Sequence, residues 1–278
     1  MQEHTAIARL DAEDLHIRVF AAKYVELRAR SWNSANVQDP FWRLYMNNRA
    51  GAALELADGA YPLDAEQLYL VPAGVRFSCA NAAAIGHFYV HFDVIGVPRV
   101  ALRELFGGPL RVPDRPALVA EARGLARALA ERPVVGLIEQ FQVKALLYAV
   151  LAAYLASQPA DAMERYWVLA AAHGPVRAAL REIEEHLSEP LSNRRLAQLC
   201  HMSEDYFIRR FRACVGQSPA RYIQEQRVLR AAQSLLFTTD SMETIAAASG
   251  FANRFYFSRV FVQQMGVSPA AYRKALRV

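Results

Sequence analysis

The chain has 278 residues, 54% of them hydrophobic and 21% charged, with a net charge of +5. That length fits two domains of about 100–200 residues, each with enough apolar material for a core. No run of about 18 apolar residues is free of charge, and the first twenty residues carry acids ahead of any apolar stretch. Neither a transmembrane helix nor a signal peptide is expected, and the expected compartment is the cytoplasm. Cys79, Cys200 and Cys214 are too few and too far apart for a disulfide framework or a zinc site, so they read as small buried apolar residues.

The charge is unevenly spread. From Val176 to the end there are 15 Lys and Arg against 9 Asp and Glu, whereas residues 1–175 carry 17 against 18. A basic third beside a neutral remainder points to a polyanion as partner of the basic part.

In chain order, residues 41–95 read as β. Short apolar segments, Leu54–Leu56, Leu68–Val71 and His87–Phe92, are punctuated by Asp58-Gly59, Pro62 and Pro72-Ala73-Gly74. Such spacing predicts a small antiparallel sandwich or barrel. Residues 116–131 and 134–156 read as helices. In the second, Val134, Ile138, Phe141, Ala145, Tyr148, Ala152 and Leu155 follow a 3-4 spacing, with a second stripe, Val143, Leu147, Val150 and Tyr154, beside it. One stripe can pack on the barrel and the other can meet a partner, or the whole helix can be buried in its own domain. Ser157-Gln158-Pro159 ends it, and a partly helical connection leads to a new helix near Pro175.

The C-terminal third contains an internal repeat at an offset of 50 residues. Phe211, Gly216, Ser218, Pro219 and Tyr222 recur as Phe261, Gly266, Ser268, Pro269 and Tyr272, and Phe207 and Arg209 recur as Phe257 and Arg259. Each copy reads as helix, tight turn, helix. Ser192 and Ser203 are placed to cap the two helices of the first copy. Asp240 with Glu243 resembles a capping box at the start of the second copy, Gly250 supplies its turn, and Asn253 caps its second helix. The paired phenylalanines, four residues apart, mark the buried face. Two such units can place two helices in successive major grooves, about 34 Å apart along one face of the duplex.

At this point the chain resembles the AraC/XylS family of bacterial regulators. The resemblance rests on residues 245–273, above all Ile245-Ala246, Gly250-Phe251, Tyr256-Phe257, Arg259, Phe261, Gly266, Pro269, Tyr272 and Arg273. It covers 176–278, more loosely in the first unit. It implies that Asp205, Ile208 and Arg209 face the groove from the first unit and Phe255, Ser258 and Arg259 from the second. Arg209 and Arg259 suit guanine, whose O6 and N7 accept a guanidinium together. Ser258 suits either base edge, and Ile208 suits a thymine methyl or reads nothing. Asp205 either accepts from a cytosine N4 or is a helix-start charge. Tyr206 and Arg254 flank these positions and suit phosphates.

Residues 41–92 resemble the cupin-like effector barrel that precedes the DNA-binding part in many family members. The stretch that carries this is Leu70-Val71-Pro72-Ala73-Gly74, followed by His87-Phe88-Tyr89-Val90-His91-Phe92. On a strand, His87, Tyr89 and His91 share one face. Two imidazoles and a phenol together suit a sugar, with Trp42, Arg43, Tyr45 and Glu55 as further candidates from neighbouring strands; the alternative is that the histidines are surface or hydrogen-bonded core residues. Metal-binding cupins are built on a His-x-His pair, a Glu and a later His. This chain has no His-x-His, Phe77 stands near the later position, and His87, His91 and Glu55 supply too few ligands, so no metal, no cofactor and no enzymatic activity are expected.

The expected architecture is multidomain α+β. Residues 1–165 form a cupin-like barrel with flanking helices that binds an effector and dimerises, 166–175 link, and 176–278 form an all-α domain of two tandem helix-turn-helix units. The resemblance implies a sequence-specific transcription regulator, an activator that meets RNA polymerase, working as a homodimer on double-stranded DNA under control of a small effector such as a monosaccharide. The alternative is an effector-independent regulator whose barrel only dimerises.

Overall fold

The structure is a computed structural model that describes residues 15–95, 105–131, 136–172 and 174–276. The N-terminal half holds two antiparallel sheets. In the first, β1 (His16–Leu27), β8 (Ile85–Ile95), β3 (Trp42–Asn47), β6 (Tyr69–Val71) and β9 (Leu110–Arg111) lie side by side in that order. The second runs β2 (Ser34–Val37), β7 (Phe77–Asn81), β4 (Ala52–Leu56) and β5 (Gly59–Leu63). Leu54, Leu63, Tyr69, Val71 and Phe77 fill the space between the sheets. The β region begins earlier than residue 41, because β1 pairs with β8 along its length and a register shift between Val19 and Ala21 breaks its alternation.

Alternation along β3 and β8 decides which side chains enter the barrel. Trp42, Leu44, Met46, Phe88, Val90 and Phe92 face outward and are covered by helices α1 (Pro116–Glu131) and α2 (Leu137–Ala156). Burying a large apolar side chain is worth about 1.5–3 kcal/mol, and α1 contributes two, Leu125 and Leu129, beside the buried Ala122 and Ala126 that let it approach the sheet. In α2 the stripe Val143, Leu147 and Val150 is buried, while Ile138 and Phe141 are 71% and 68% exposed. The two stripes therefore divide over the first half of the helix; further on, the Tyr148 hydroxyl accepts from Ile17 N at 3.1 Å and Leu155 packs against the barrel-side core. Val134, counted at the start of the outer stripe, lies outside the described residues. Helix α3 (Ala160–Ala172) and a short 3-10 turn (Gly174–Val176) carry the chain onward, so the connecting segment is helical as far as Ala172.

The C-terminal third is all helix: α4 (Arg177–Glu185), α5 (Asn193–Leu199), α6 (Glu204–Val215), α7 (Pro219–Phe237), α8 (Met242–Ala248), α9 (Arg254–Met265) and α10 (Pro269–Leu276). The 50-residue repeat folds as two units, each around its own core. Phe207 and Phe211 centre the first with Leu196 and Ala197, and Phe257 and Phe261 centre the second with Ile245 and Ala246. Helix α7 joins them, giving Ile223 to the first core and Val228, Ala231, Ala232 and Leu235 to the second. Its Arg227 donates to the carbonyls of Leu187 (2.9 Å) and Glu189 (2.7 Å), which tethers the chain after α4.

Helix ends follow the expected chemistry with one shift. Ser192 Oγ accepts from Arg195 N and Asn253 Oδ1 from Tyr256 N, while Gly216 and Gly266 close α6 and α9 in the left-handed region. Ser203 stands at the cap of α6 without a side-chain capping bond. The cap of α8 is Ser241, which accepts from Thr244 N, and not Asp240. Asp240 sits one residue outside, where its carbonyl accepts from Arg273 (2.6 Å).

Candidate nucleic-acid interface and barrel site

The two second helices, α6 and α9, each bury a phenylalanine pair and turn the rest of the helix outward. Asp205, Tyr206 and Arg209 are exposed on α6, and Arg254, Phe255 and Arg259 on α9. Phe255 is 73% exposed at the start of α9. Ile208 and Ser258 are half-buried, and Ile208 leans on the first unit's core. Side chains at positions one, four and five of a helix share a face, so both triplets present one edge to the outside.

Some of these groups are braced. Arg254 pairs with Glu243 at 2.7 Å and lies over the Phe255 ring at 4.8 Å, which positions both side chains at the start of α9. The Arg259 guanidinium sits 5.4 Å from the Tyr256 ring, whose hydroxyl accepts from Gln224 of α7 at 3.0 Å. Among the described residues, neither Arg209 nor Arg259 has a carboxylate partner, so both charges are available to an incoming anion or base edge.

The second cluster lies on the inner face of the first sheet. Cross-strand register sets Arg43 against His91, Tyr45 against Tyr89 and Asn47 against His87. The rings form a continuous row, with His87 and Tyr89 5.6 Å apart, Tyr89 and His91 4.7 Å, and Tyr45 and His87 4.9 Å. Trp32 closes one end, 4.8 Å from His87. His87, Tyr89, His91, Arg43 and Tyr45 therefore come together. Two other candidates do not. Trp42 is on the outward face of β3, against Phe92 and Phe106, because neighbours on a strand point to opposite sides. Glu55 is exposed on β4 and faces away from the barrel interior, between buried Leu54 and half-buried Leu56.

Electrostatics in this row favour neutral groups. Burial lowers the His87 pKa to about 3, and burial with the nearby Arg43 charge lowers that of His91. Burial raises the phenols of Tyr45 and Tyr89. His87 Nδ1 is 2.7 Å from Asn47 Oδ1, and the tautomer that donates from Nδ1 to this oxygen keeps Nε2 as an acceptor. Arg43 Nη1 and Asn47 Nδ2 are buried with no hydrogen-bond partner. The face thus offers donors and an acceptor between aromatic rings. Asn47 and Trp32 were not recognised from the sequence; the pairing of β3 with β8 sets Asn47 opposite His87, and Trp32 arrives from the segment between β1 and β2. Among the described residues no group of three His, Cys, Asp or Glu is placed to hold a metal ion.

Comparison with known proteins now bears on the outward face. Residues 196–275 match the family model described as a helix-turn-helix domain. The C-terminal region is an AraC-type DNA-binding domain. Within it the chain is 35% identical over 95 residues to the MmsAB operon regulatory protein of Pseudomonas aeruginosa, and 33% identical over 101 residues to the regulatory protein PocR of Salmonella typhimurium. These matches span 34% and 36% of this chain and 31% and 33% of the relatives, about a third of each. The whole chain shares its fold with ToxT of Vibrio cholerae, with a TM-score of 0.52 at 13% identity, covering 95% of this chain and 99% of that one. In both, a helical C-terminal part follows an N-terminal β-domain. No single helix among the described residues is long and apolar enough to cross a membrane.

Proposed function

We propose that this DNA-binding regulator is controlled by a small polar effector held on the inner face of the barrel, and that it activates transcription from the sites it binds. The observation that carries the effector reading is the row His87, Tyr89, His91, with Arg43 and Tyr45 opposite and two buried donors left without partners. A neutral imidazole acceptor beside unpaired donors matches hydroxyl groups, which both give and accept, and the aromatic rings supply stacking faces. A monosaccharide or sugar acid has this chemistry. In the DNA-binding half, Arg209 and Arg259 read guanine, Phe255 and Ser258 read the neighbouring positions, and Tyr206 and Arg254 meet phosphates. Asp205 stands at the start of α6, where a cytosine N4 is within the reach of its class of contact.

The division of labour is 1–165 for effector and dimer, 166–175 for connection and 176–278 for DNA. The exposed stripe of α2 supports a homodimer, since Ile138 and Phe141 present apolar surface to the outside. As an activator in the cytoplasm the protein meets RNA polymerase at its promoters. The reading is tested by thermal melting of the full chain against monosaccharides and sugar acids, because a ligand of the native state raises its stability. A rise with one of them that is lost in Tyr89→Ala and His87→Ala is the expected result. A rise that survives both substitutions places the ligand elsewhere. Without any rise, the barrel's role reduces to dimerisation.

A further inference from the structure

Among the described residues, the barrel meets the second helix-turn-helix unit and the helix that leads into it beside the effector row. Tyr272 of α10 donates from its hydroxyl to Asp39 Oδ1 at 2.5 Å, although 233 residues separate them. Asp39 is 2% exposed, and its other oxygen pairs with Arg43, a residue of the inner face. At the end of α7, Phe237 stacks on Phe20 of β1 at 5.0 Å, meets Phe41 at 5.3 Å, and lies 5.9 Å from His91. Gln233, one turn earlier, donates to Asp93 Oδ2 at 3.3 Å. The ring of Phe237 thus continues the row Tyr89, His91 out of the barrel and into the helix that joins both DNA-binding units.

We propose that this contact is a lock, in which the second DNA-binding unit closes the end of the barrel through Phe237 and Tyr272 and is held back from DNA until the contact opens. The regulatory part of this inference rests on the reading of the inner face as the effector site. Two features make the contact a switch and not fixed packing. It combines a few rings with hydrogen bonds to acids, the composition of an interface that opens, and its two halves share residues with the candidate site. Arg43 belongs at once to the inner face and, through Asp39, to Tyr272. His91 belongs at once to the row and to the Phe237 contact. A bidentate ligand group that takes Arg43 Nη2 together with the unpartnered Nη1 displaces Asp39, and one that displaces the His91 ring removes the support of Phe237. By linkage, DNA and effector then favour the same open arrangement.

The lock is tested with DNA alone. The probe is a duplex enriched by the full-length protein from a randomised pool, and affinity is read by fluorescence anisotropy. Phe20 lies on the barrel and stacks on Phe237, so Phe20→Ala removes that ring pair from the barrel side. It is expected to tighten binding by about fivefold, the scale of one lost ring pair. Phe237→Ala is expected to do the same, and the double variant no more than either alone, since both break one contact. Tyr272→Phe keeps the ring in the second unit's core and removes only the hydroxyl, so it is a third, independent opening and is also expected to tighten binding. Affinities within twofold of the parent in all three, or weaker binding by Phe20→Ala, would overturn the lock. The effector reading stands or falls separately, on the melting shift lost in Tyr89→Ala.

Discussion

His201 and Gly250 occupy equivalent places in the two helix-turn-helix units, and both adopt left-handed backbone, with φ of 54° and 84°. The amide after each closes the turn, Met202 N on Ala197 O and Phe251 N on Ala246 O, both at 2.9 Å. Glycine takes this conformation freely, whereas a residue with a Cβ is strained there by about 1 kcal/mol or more. His201→Gly is therefore expected to raise the melting temperature of the full chain slightly. Gly250→Ala is expected to lower stability by about 2 kcal/mol or more, because its Cβ would lie 2.5 Å from Leu187 O in addition to the strain. Parallel melting curves for the two variants check both signs. Equal effects of the same sign would contradict this account of the turn.

The histidines of the barrel give a pH dependence with a definite sign. The folded pKa of His87 is about 3, below the ordinary value of 6.5, and that of His91 is lowered as well. Below pH 6.5 the unfolded chain takes up protons that the folded barrel refuses, so stability is full above that pH and falls towards pH 3. Urea midpoints measured between pH 7.5 and 4.5 should drop by an amount on the order of a few kcal/mol in stability. His87→Gln, which removes one of these groups, should flatten the curve over that range. An unchanged slope would mean that His87 is protonated in the folded barrel.

The outer stripe of α2 gives a third expectation. Phe141 is 68% exposed and contributes little to its own domain, so Phe141→Glu should leave the melting temperature of a monomer nearly unchanged. If α2 meets a second copy, the same substitution buries a charge at an apolar contact and should convert the dimer to monomer in sedimentation velocity. A parent chain that is already monomeric at micromolar concentration, or a variant that remains dimeric, would move the contact elsewhere.

The C-terminal half was legible because its signals are local. The pairs Phe207 and Phe211, and Phe257 and Phe261, are one helical turn apart, and the turn and cap residues sit within a few positions of them. Only the cap of α8 moved, from Asp240 to Ser241, where adjacent residues offer equivalent chemistry. The barrel was legible in outline, through His87, Tyr89 and His91, whose alternation is a property of one strand. Trp42 and Glu55 were misplaced for the same physical reason. Trp42 and Arg43 are neighbours on β3 and cannot share a face, and Glu55 lies on a strand whose inner residues are Ala52 and Leu54. β1 escaped notice because its bulge interrupts the alternation that marks a strand. The contact of Asp39 with Tyr272 leaves no mark in the sequence, since nothing local relates residues so distant.

The central claim is that α6 and α9 read DNA through Arg209 and Arg259, and the most direct test is selection of duplexes from a randomised pool by the full chain. The expected consensus has two guanine-containing elements about one helical turn apart. Arg259→Ala should lose discrimination at one base by about 1–3 kcal/mol while other positions keep theirs, and Arg209→Ala should do so in the other element. No enrichment, or an equal loss on selected and random duplexes in both variants, would contradict the account.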